Sequence, residues 1–248
     1  MPQISWTFKP HVPDERVAAN KAAALARGLP VVGECPVKPK LAVVGGGPSV
    51  RDRLDDLRDF DGEVLAINGA WRYLRDAGVA ATFYTVDPVL DVLPLVDGVE
   101  RAVLGSSVDG AVFDALEGSH VEVVPLGAGE GEVLHGPTSA TAVMHMAPMR
   151  GHASVSFYGC EGNYGHTSHA YQCNALEVPR VVVDVAGHEY VTAPGFLVQS
   201  EWIAACIRAA PDYLENRSGG LLAALVTCPD YDIKAVSRSI YDRLERAA

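Results

Sequence analysis

Short, largely apolar runs alternate with helical stretches through most of this sequence, and that alternation restricts the fold more than any other feature. Leu41–Val44 is the first run and Val64–Ile67 the second, with a helical stretch between them. Ala81–Thr85 and Ala153–Tyr158 continue the pattern. Several of these runs are apolar at every position, which is typical of parallel strands buried on both faces. We therefore predict an α/β, Rossmann-like fold with a mostly parallel sheet and helices on both of its faces.

The chain is expected to divide into an arm and one larger domain. Residues 1–40 are predicted to form an N-terminal arm, with a short helix that Asp14 caps and that extends to Leu25 or slightly beyond. No linker interrupts residues 41–248, which we assign to a single Rossmann-like nucleotide-binding domain. Residues 230–248 are predicted to close that domain with a surface helix, because their apolar residues recur at helical spacing.

Composition disfavours several functional classes. Lys and Arg number 20 against 31 Asp and Glu, so the net charge of -11 makes nucleic acid an unexpected partner. No apolar run reaches the roughly 18–20 residues of a membrane span, and no signal peptide is evident. The five cysteines are scattered without a C-x-x-C pair, which fits a reducing, cytoplasmic setting. The oligomeric state is open, and Trp and Tyr near the C-terminal helices would suit a homo-oligomer.

The first apolar strand ends at three consecutive glycines. Gly45, Gly46 and Gly47 are followed by Pro48 and by Ser49, which is expected to cap the next helix. Free amides and the positive end of a helix favour a phosphate there. A Walker motif is excluded because no Gly-Lys-Ser/Thr follows the glycines. The dinucleotide-binding motif G-x-G-x-x-G is matched only in part, because its third glycine is absent. We predict a ligand-binding turn, with a glycine-rich connection that binds nothing as the alternative.

Polar residues follow other strands of the predicted sheet. Asn68 and Asp87 come at the carboxyl ends of the second and third strands, the edge at which open parallel sheets bind ligands. Asn68 suits a base or a ribose, and Asp87 a ribose hydroxyl or Mg²⁺. Thr138 and Ser139 open a later helix and form a second potential anion site. A plain turn at Asn68 and a loop cap at Asp87 are the alternatives.

The loop after the strand that ends near residue 158 is rich in ionisable side chains. Tyr164 and His169 lie in it, together with Glu161 and His166. A histidine exchanges protons near neutral pH, and a tyrosine can donate to a leaving phosphate. His188, after a later strand, is a second candidate base. The two loop histidines and Glu161 match no firm metal-binding signature, so no protein metal site is predicted. A solvated loop and a strand-to-helix turn are the alternatives.

Taken together, these motifs resemble a known family. The stretch Val43–Val50 is similar to the G-x-G-P-S-L motif of the motility-accessory-factor and 6-hydroxymethylpterin-pyrophosphokinase-like proteins. The same motif opens the bacterial lipo-oligosaccharide sialyltransferases, which share a Rossmann-like fold. The resemblance continues through residues 67–68, 87–88 and 138–139, and it reaches Gly159-Cys160-Glu161. It spans roughly residues 41–207, although the family usually has Gly-x-Asp where this chain has Gly-Cys-Glu.

The resemblance implies a nucleotide site and a set of roles. Gly45, Gly47, Pro48, Ser49 and Asn68 would form the nucleotide site, with Ser139 nearby. In the sialyltransferases a histidine is the base on the acceptor hydroxyl, and tyrosines assist the departing phosphate of a CMP-sugar. By position, His188 is the first counterpart of that histidine and His169 the second.

Three functions follow as hypotheses. The first is a nucleotide-dependent, glycosyltransferase-like enzyme with a nucleotide-sugar donor and a histidine base. The second is Mg²⁺-dependent pyrophosphoryl transfer to a pterin-like alcohol, with Asp87 and Glu161 holding the metal. The third is a nucleotide-binding or scaffold protein without catalysis. The nucleotide base, the transferred group, the acceptor and the pathway are left open by the sequence.

Overall fold

A parallel seven-stranded sheet forms the centre of the protein. The computed structural model describes residues 12–34, 39–134, 136–165 and 179–237. The strands are β1 Lys40–Val44, β2 Gly62–Ile67, β3 Thr82–Thr85, β4 Arg101–Gly105, β5 His120–Val124, β6 Ser154–Tyr158, β7 Arg180–Val185, β8 His188–Thr192, β9 Leu214–Asn216 and β10 Asp232–Ser237. The large sheet has the order β5-β4-β3-β2-β1-β6-β9, and all its neighbouring strands are parallel. The predicted α/β, Rossmann-like fold is confirmed.

Helices cover both faces of this sheet. They are α1 Asp14–Ala26, α2 Leu54–Arg58, α3 Ala70–Asp76, α4 Gly110–Ala115, α5 Ser139–Arg150, α6 Pro194–Ala209 and α7 Gly220–Thr227, with 3₁₀ turns at Pro48–Arg53 and Leu90–Leu95. Because side chains alternate along a strand, Leu41 and Val43 of β1 join one core with α5, α6 and α7. Ala42 and Val44 join a second core with α1 to α4.

The order of the strands creates a crevice at the carboxyl edge of the sheet. The chain builds outward from β1 through β5 and then returns to place β6 on the other side of β1. Val44 of β1 is level with Tyr158 of β6, so the connections after these two strands leave the sheet side by side. They then run to opposite faces, and such a switch point is where open α/β sheets bind ligands.

The N-terminal helix packs on the main body. It spans Asp14–Ala26, close to the prediction, but Asp14 lies in its first turn and Pro13 occupies the N-cap position. The Arg16 guanidinium pairs with Asp109 at 2.7 Å, and the Asn20 amide donates to the Ser107 carbonyl oxygen at 2.9 Å. These contacts hold the helix against the loop before α4.

The C-terminal region differs from the prediction. Residues 232–237 form β10, an antiparallel partner of β7, instead of the start of a surface helix. The segment after β7, for which a strand-to-helix turn was the alternative to a catalytic role, is a β-hairpin in which β8 pairs with β7. Val181 and Val183 of β7 join the same core as α5 to α7, so this small sheet β10-β7-β8 packs on the main body. In both places long-range strand pairing overrides the local pattern.

Within the described residues, no helix combines the length and the apolar character that crossing a membrane requires.

Candidate functional site

A cleft of about 290 Å³ opens at the switch point of the sheet. It receives residues from the ends of β1, β2, β3 and β6 and from the starts of α5 and α6. Its lining consists of Gly45, Gly46, Gly47, Ile67, Asn68, Asp87, Pro137, Thr138, Ser139, Ala140, Gly159, Cys160, Glu161, Gly162, Asn163, Phe196 and Gln199. Seven of the predicted binding residues therefore meet at one cleft, while Pro48 and Ser49 do not line it.

The triple-glycine turn packs against the loop that follows β6. The Gly45 amide donates to the Tyr158 carbonyl oxygen and the Gly47 amide to that of Gly159, both at 2.8 Å. A Cβ atom at Gly45 would lie 2.5 Å from the Gly159 carbonyl oxygen. At Gly47 it would overlap the Glu161 carboxylate. Glycine is thus required at both positions because another part of the chain comes this close.

The first turn after the glycines already holds a carboxylate. The Ser49 amide donates to Glu161 Oε1 at 2.6 Å. Ser49 is not the helix cap that the sequence predicted: Gly47 is the N-cap, no side chain caps it, and the segment is a 3₁₀ turn. Because the amides of Gly45, Gly47 and Ser49 all have acceptors within the chain, the bend does not offer these three to a phosphate.

Glu161 lies in the floor of the cleft. The residue is only 6% exposed, and its Oε2 atom has no hydrogen-bond partner among the described residues. A buried carboxylate oxygen without a partner is costly unless a ligand or a cation meets it. Burial, together with the nearby charge of Glu161, raises the pKa of the Cys160 thiol to about 12. The thiol is therefore an unreactive part of the cleft lining.

A hydrogen-bonded group joins the ends of β2 and β3 to α5. The side-chain amide of Asn68 donates to Asp87 Oδ2 at 2.6 Å, and the Ser139 hydroxyl lies 3.3 Å from Asp87 Oδ1. Asn68 has a φ of 51°, a left-handed conformation that asparagine tolerates. Its Oδ1 atom is buried and has no described partner. The group therefore presents an unused acceptor beside a carboxylate, which suits a ligand that donates hydrogen bonds.

Helix α5 begins at the wall of the cleft. Thr138 is its N-cap and forms a capping box with Thr141. The Thr141 backbone amide donates to the Thr138 hydroxyl at 3.3 Å, and the Thr138 backbone amide donates to the Thr141 hydroxyl at 2.9 Å. The helix has 12 residues, and its positive end lies beside Ser139 and Ala140 of the cleft lining. First-turn amides have no partner inside a helix. This wall is the part of the cleft that suits a phosphate.

The charge of the lining is negative. It includes Asp87 and Glu161, and no Lys, Arg or His is among its described residues. No group of three or more potential metal ligands occurs in the described part of the chain. A magnesium ion generally takes only one or two protein carboxylates and completes its shell with phosphates and water, so Asp87 and Glu161 fit that donor set.

The predicted catalytic residues are not gathered in the lining. His188 is exposed at the first position of β8, next to the turn of the hairpin. The Tyr164 side chain does not line the cleft: the Arg180 guanidinium lies 3.5 Å from its ring centroid, and its amide donates to the Val191 carbonyl oxygen at 2.7 Å. His169 lies outside the described residues.

Phe196, Gln199 and Asn163 line the cleft and were not singled out from the sequence. One signal could have found Gln199: it interrupts the apolar face of a helix one turn after an aromatic residue. Asn163 accepts a hydrogen bond at 2.8 Å from the Leu221 amide, and this bond ties the loop to α7.

A larger cavity, of about 770 Å³, lies at the opposite edge of the sheet. Trp71, Arg75, Arg101 and Arg150 are among its lining residues. It sits at the amino ends of β2, β3 and β4, away from the switch point and from the glycine turn. Position and chemistry therefore favour the smaller cleft as the functional site.

Comparison with known proteins yielded no relative. No family model matches the chain, no curated protein matches it, and no solved structure matches it.

Proposed function

We propose that this protein is a nucleotide-dependent transferase whose nucleotide lies in the cleft at the carboxyl edge of the sheet. The main support is the convergence of Asn68, Asp87 and Ser139 with Glu161 around one cleft at the switch point. These groups come from distant parts of the chain and leave buried oxygen acceptors unused. A protein that needed this edge only for stability would have no reason to bury them without partners.

The polarity of the cleft suggests how a nucleotide lies in it. Glu161 Oε2 and Asn68 Oδ1 are unused acceptors, so they suit hydrogen-bond donors such as ribose hydroxyls. The start of α5 suits the phosphates. In this arrangement the phosphates lie away from the triple-glycine turn, because the Ser49 backbone amide there already donates to Glu161.

For the reaction we propose glycosyl transfer from a nucleotide-sugar. The bond between the sugar carbon and the phosphate oxygen breaks, the acceptor oxygen bonds to that carbon, and a base takes the acceptor proton. His169 and His188 stay the candidates for that base. A well-placed base contributes roughly 10²–10⁴ in rate, which is the loss expected when the true base is replaced.

Mg²⁺-dependent pyrophosphoryl transfer is the second candidate, favoured by the negative lining. Asp87 and Glu161 would hold the ion, which when bound would offset the charge of the phosphates. The unpartnered Glu161 Oε2 supports this fit. Asp87 Oδ2 already accepts a hydrogen bond from Asn68, so this amide would orient the carboxylate.

A thermal-shift screen tests both candidates. The probes are CMP, UDP, GDP, ATP and CMP-sugars, each with Mg²⁺ or with EDTA. A ligand at 100 times its Kd stabilises the fold by about 2.7 kcal/mol, or about 5–10 °C for a chain of this size. Stabilisation in EDTA supports glycosyl transfer, and a strict need for Mg²⁺ supports the second candidate.

Glu161→Gln provides the matching variant, with Glu189→Gln on the exposed hairpin as its control. We expect the first to reduce the shift and the second to leave it unchanged. If none of the nucleotides raises the melting temperature of the unaltered protein, the proposal is wrong.

A further inference from the structure

One end of the cleft carries a side-chain amide that makes no hydrogen bond to the described chain. Gln199 of α6 lines the cleft and is only 8% exposed. No hydrogen bond joins its side chain to another described residue, and neither amide atom is among the fully buried polar atoms that lack a partner, so the amide stays accessible at the cleft. An amide carries two donors and an acceptor, and here they are available at the cleft. The position therefore points to a ligand with both a donor and an acceptor.

An aromatic ring stands one helical turn before that amide. Phe196 and Gln199 are three residues apart on α6, so they share a face of the helix, and both line the cleft. The Phe196 ring packs on the Tyr164 ring with centroids 5.7 Å apart and a tilt of 47°. Arg180 covers the Tyr164 ring in turn. This stack of guanidinium, Tyr and Phe holds the ring of a residue that lines the cleft.

We infer that Phe196 and Gln199 form a pocket for the base of the nucleotide. The base stacks on the Phe196 ring, and the Gln199 amide bonds to the donor and acceptor on the edge of the base. Tyr164 acts here as a positioning residue, because it holds Phe196 and does not reach the cleft. This inference rests on the proposed function and adds the part of the ligand that α6 recognises.

The order of the strands agrees with this placement. Along the carboxyl edge the sequence is β6, β1, β2 and β3. Glu161 and Asn163, which follow β6, lie on the side of α6, whereas Asp87, at the end of β3, bonds to Ser139 of α5. A ligand that spans the cleft thus meets Phe196 and Gln199 first, Glu161 and the glycines next, and the start of α5 last. A base, a ribose and a phosphate follow each other in that order.

Calorimetric binding of AMP, CMP, GMP, UMP and ribose 5-phosphate tests the pocket. Ribose 5-phosphate has no base, so its affinity measures binding to the rest of the cleft. We expect Phe196→Ala to weaken nucleotide binding roughly 5- to 150-fold, the range for loss of base stacking, and to leave ribose 5-phosphate unchanged. Trp202→Ala, on the outer face of the same helix, is the control and leaves all five affinities unchanged. Gln199→Leu is expected to change the ratios among the four nucleotides.

The outcomes separate the pocket from the proposed function. If Phe196→Ala weakens nucleotides and ribose 5-phosphate equally, or if Gln199→Leu leaves all four ratios intact, the pocket is refuted while nucleotide binding stands. If the unaltered protein binds none of the nucleotides, the proposed function falls and the pocket with it. Unfolding curves of each variant confirm that it is folded before binding is compared.

Discussion

Replacing Gly47 by alanine tests how tightly the glycine turn is filled by the chain itself. The φ of Gly47 is -70°, which alanine adopts freely, so only contacts oppose the change. The new Cβ would overlap the Glu161 carboxylate and lie 2.7 Å from the Gly159 carbonyl oxygen. Relief requires Glu161 to move away from the Ser49 amide, and a hydrogen bond to a charged group contributes about 1.5–3 kcal/mol. We expect a loss of about 2–3 kcal/mol, in the upper part of the range for overpacking.

Urea unfolding of a double-mutant cycle measures this. Gly47→Ala, Glu161→Ala and the double variant are compared with Gly195→Ala, whose Cβ would meet nothing within 4 Å. Gly195 lies in α6, so its alanine variant should gain about 0.5–1 kcal/mol. In the Glu161→Ala background, the loss in free energy of unfolding caused by Gly47→Ala should be at least about 1 kcal/mol smaller than in the unaltered protein. If the two costs instead add within about 0.5 kcal/mol, the carboxylate does not fill the turn as described.

Three further results are expected. Asp87→Ala removes the acceptor of the Asn68 amide, so the free energy of unfolding should fall by about 1–3 kcal/mol and nucleotide-induced stabilisation should shrink; urea unfolding and thermal shift measure these two effects. The hydrogen bond from Arg16, with that from the Ala111 amide, lowers the pKa of Asp109. The stabilisation that ionised Asp109 provides is present above its unfolded pKa of about 3.9 and is lost as the pH falls through its folded pKa. The difference in the free energy of unfolding between the unaltered protein and Asp109→Asn should therefore narrow as the pH falls through the folded pKa, which urea unfolding at several pH values measures. Because burial raises the pKa of Cys160, iodoacetamide at neutral pH should leave it unlabelled in the folded protein and label it after unfolding; labelling of the folded form, seen by peptide mass spectrometry, would contradict its burial.

The parallel sheet could be predicted because its signal is local. Leu41–Val44 is apolar at each position, and only a strand covered on both faces buries all four side chains. Asn68 and Asp87 could be placed together because the carboxyl ends of parallel strands meet at one edge. At the other end of the chain, the apolar spacing of Ile233 and Val236 fits a helix equally well. Pairing with β7 decides for a strand, and that partner lies about 50 residues away.

The meaning of the glycine turn was decided only by the tertiary structure. The sequence alone indicated a sharp, ligand-binding bend after a buried strand. It could not show that Glu161, 112 residues after Ser49, takes the amide that a phosphate would use. Nor could it bring Phe196 and Gln199 to the same cleft, because their place depends on how α6 packs beyond β6. Local pattern determines which segments become strands and helices, whereas contacts between distant segments determine which polar atoms stay free to meet a ligand.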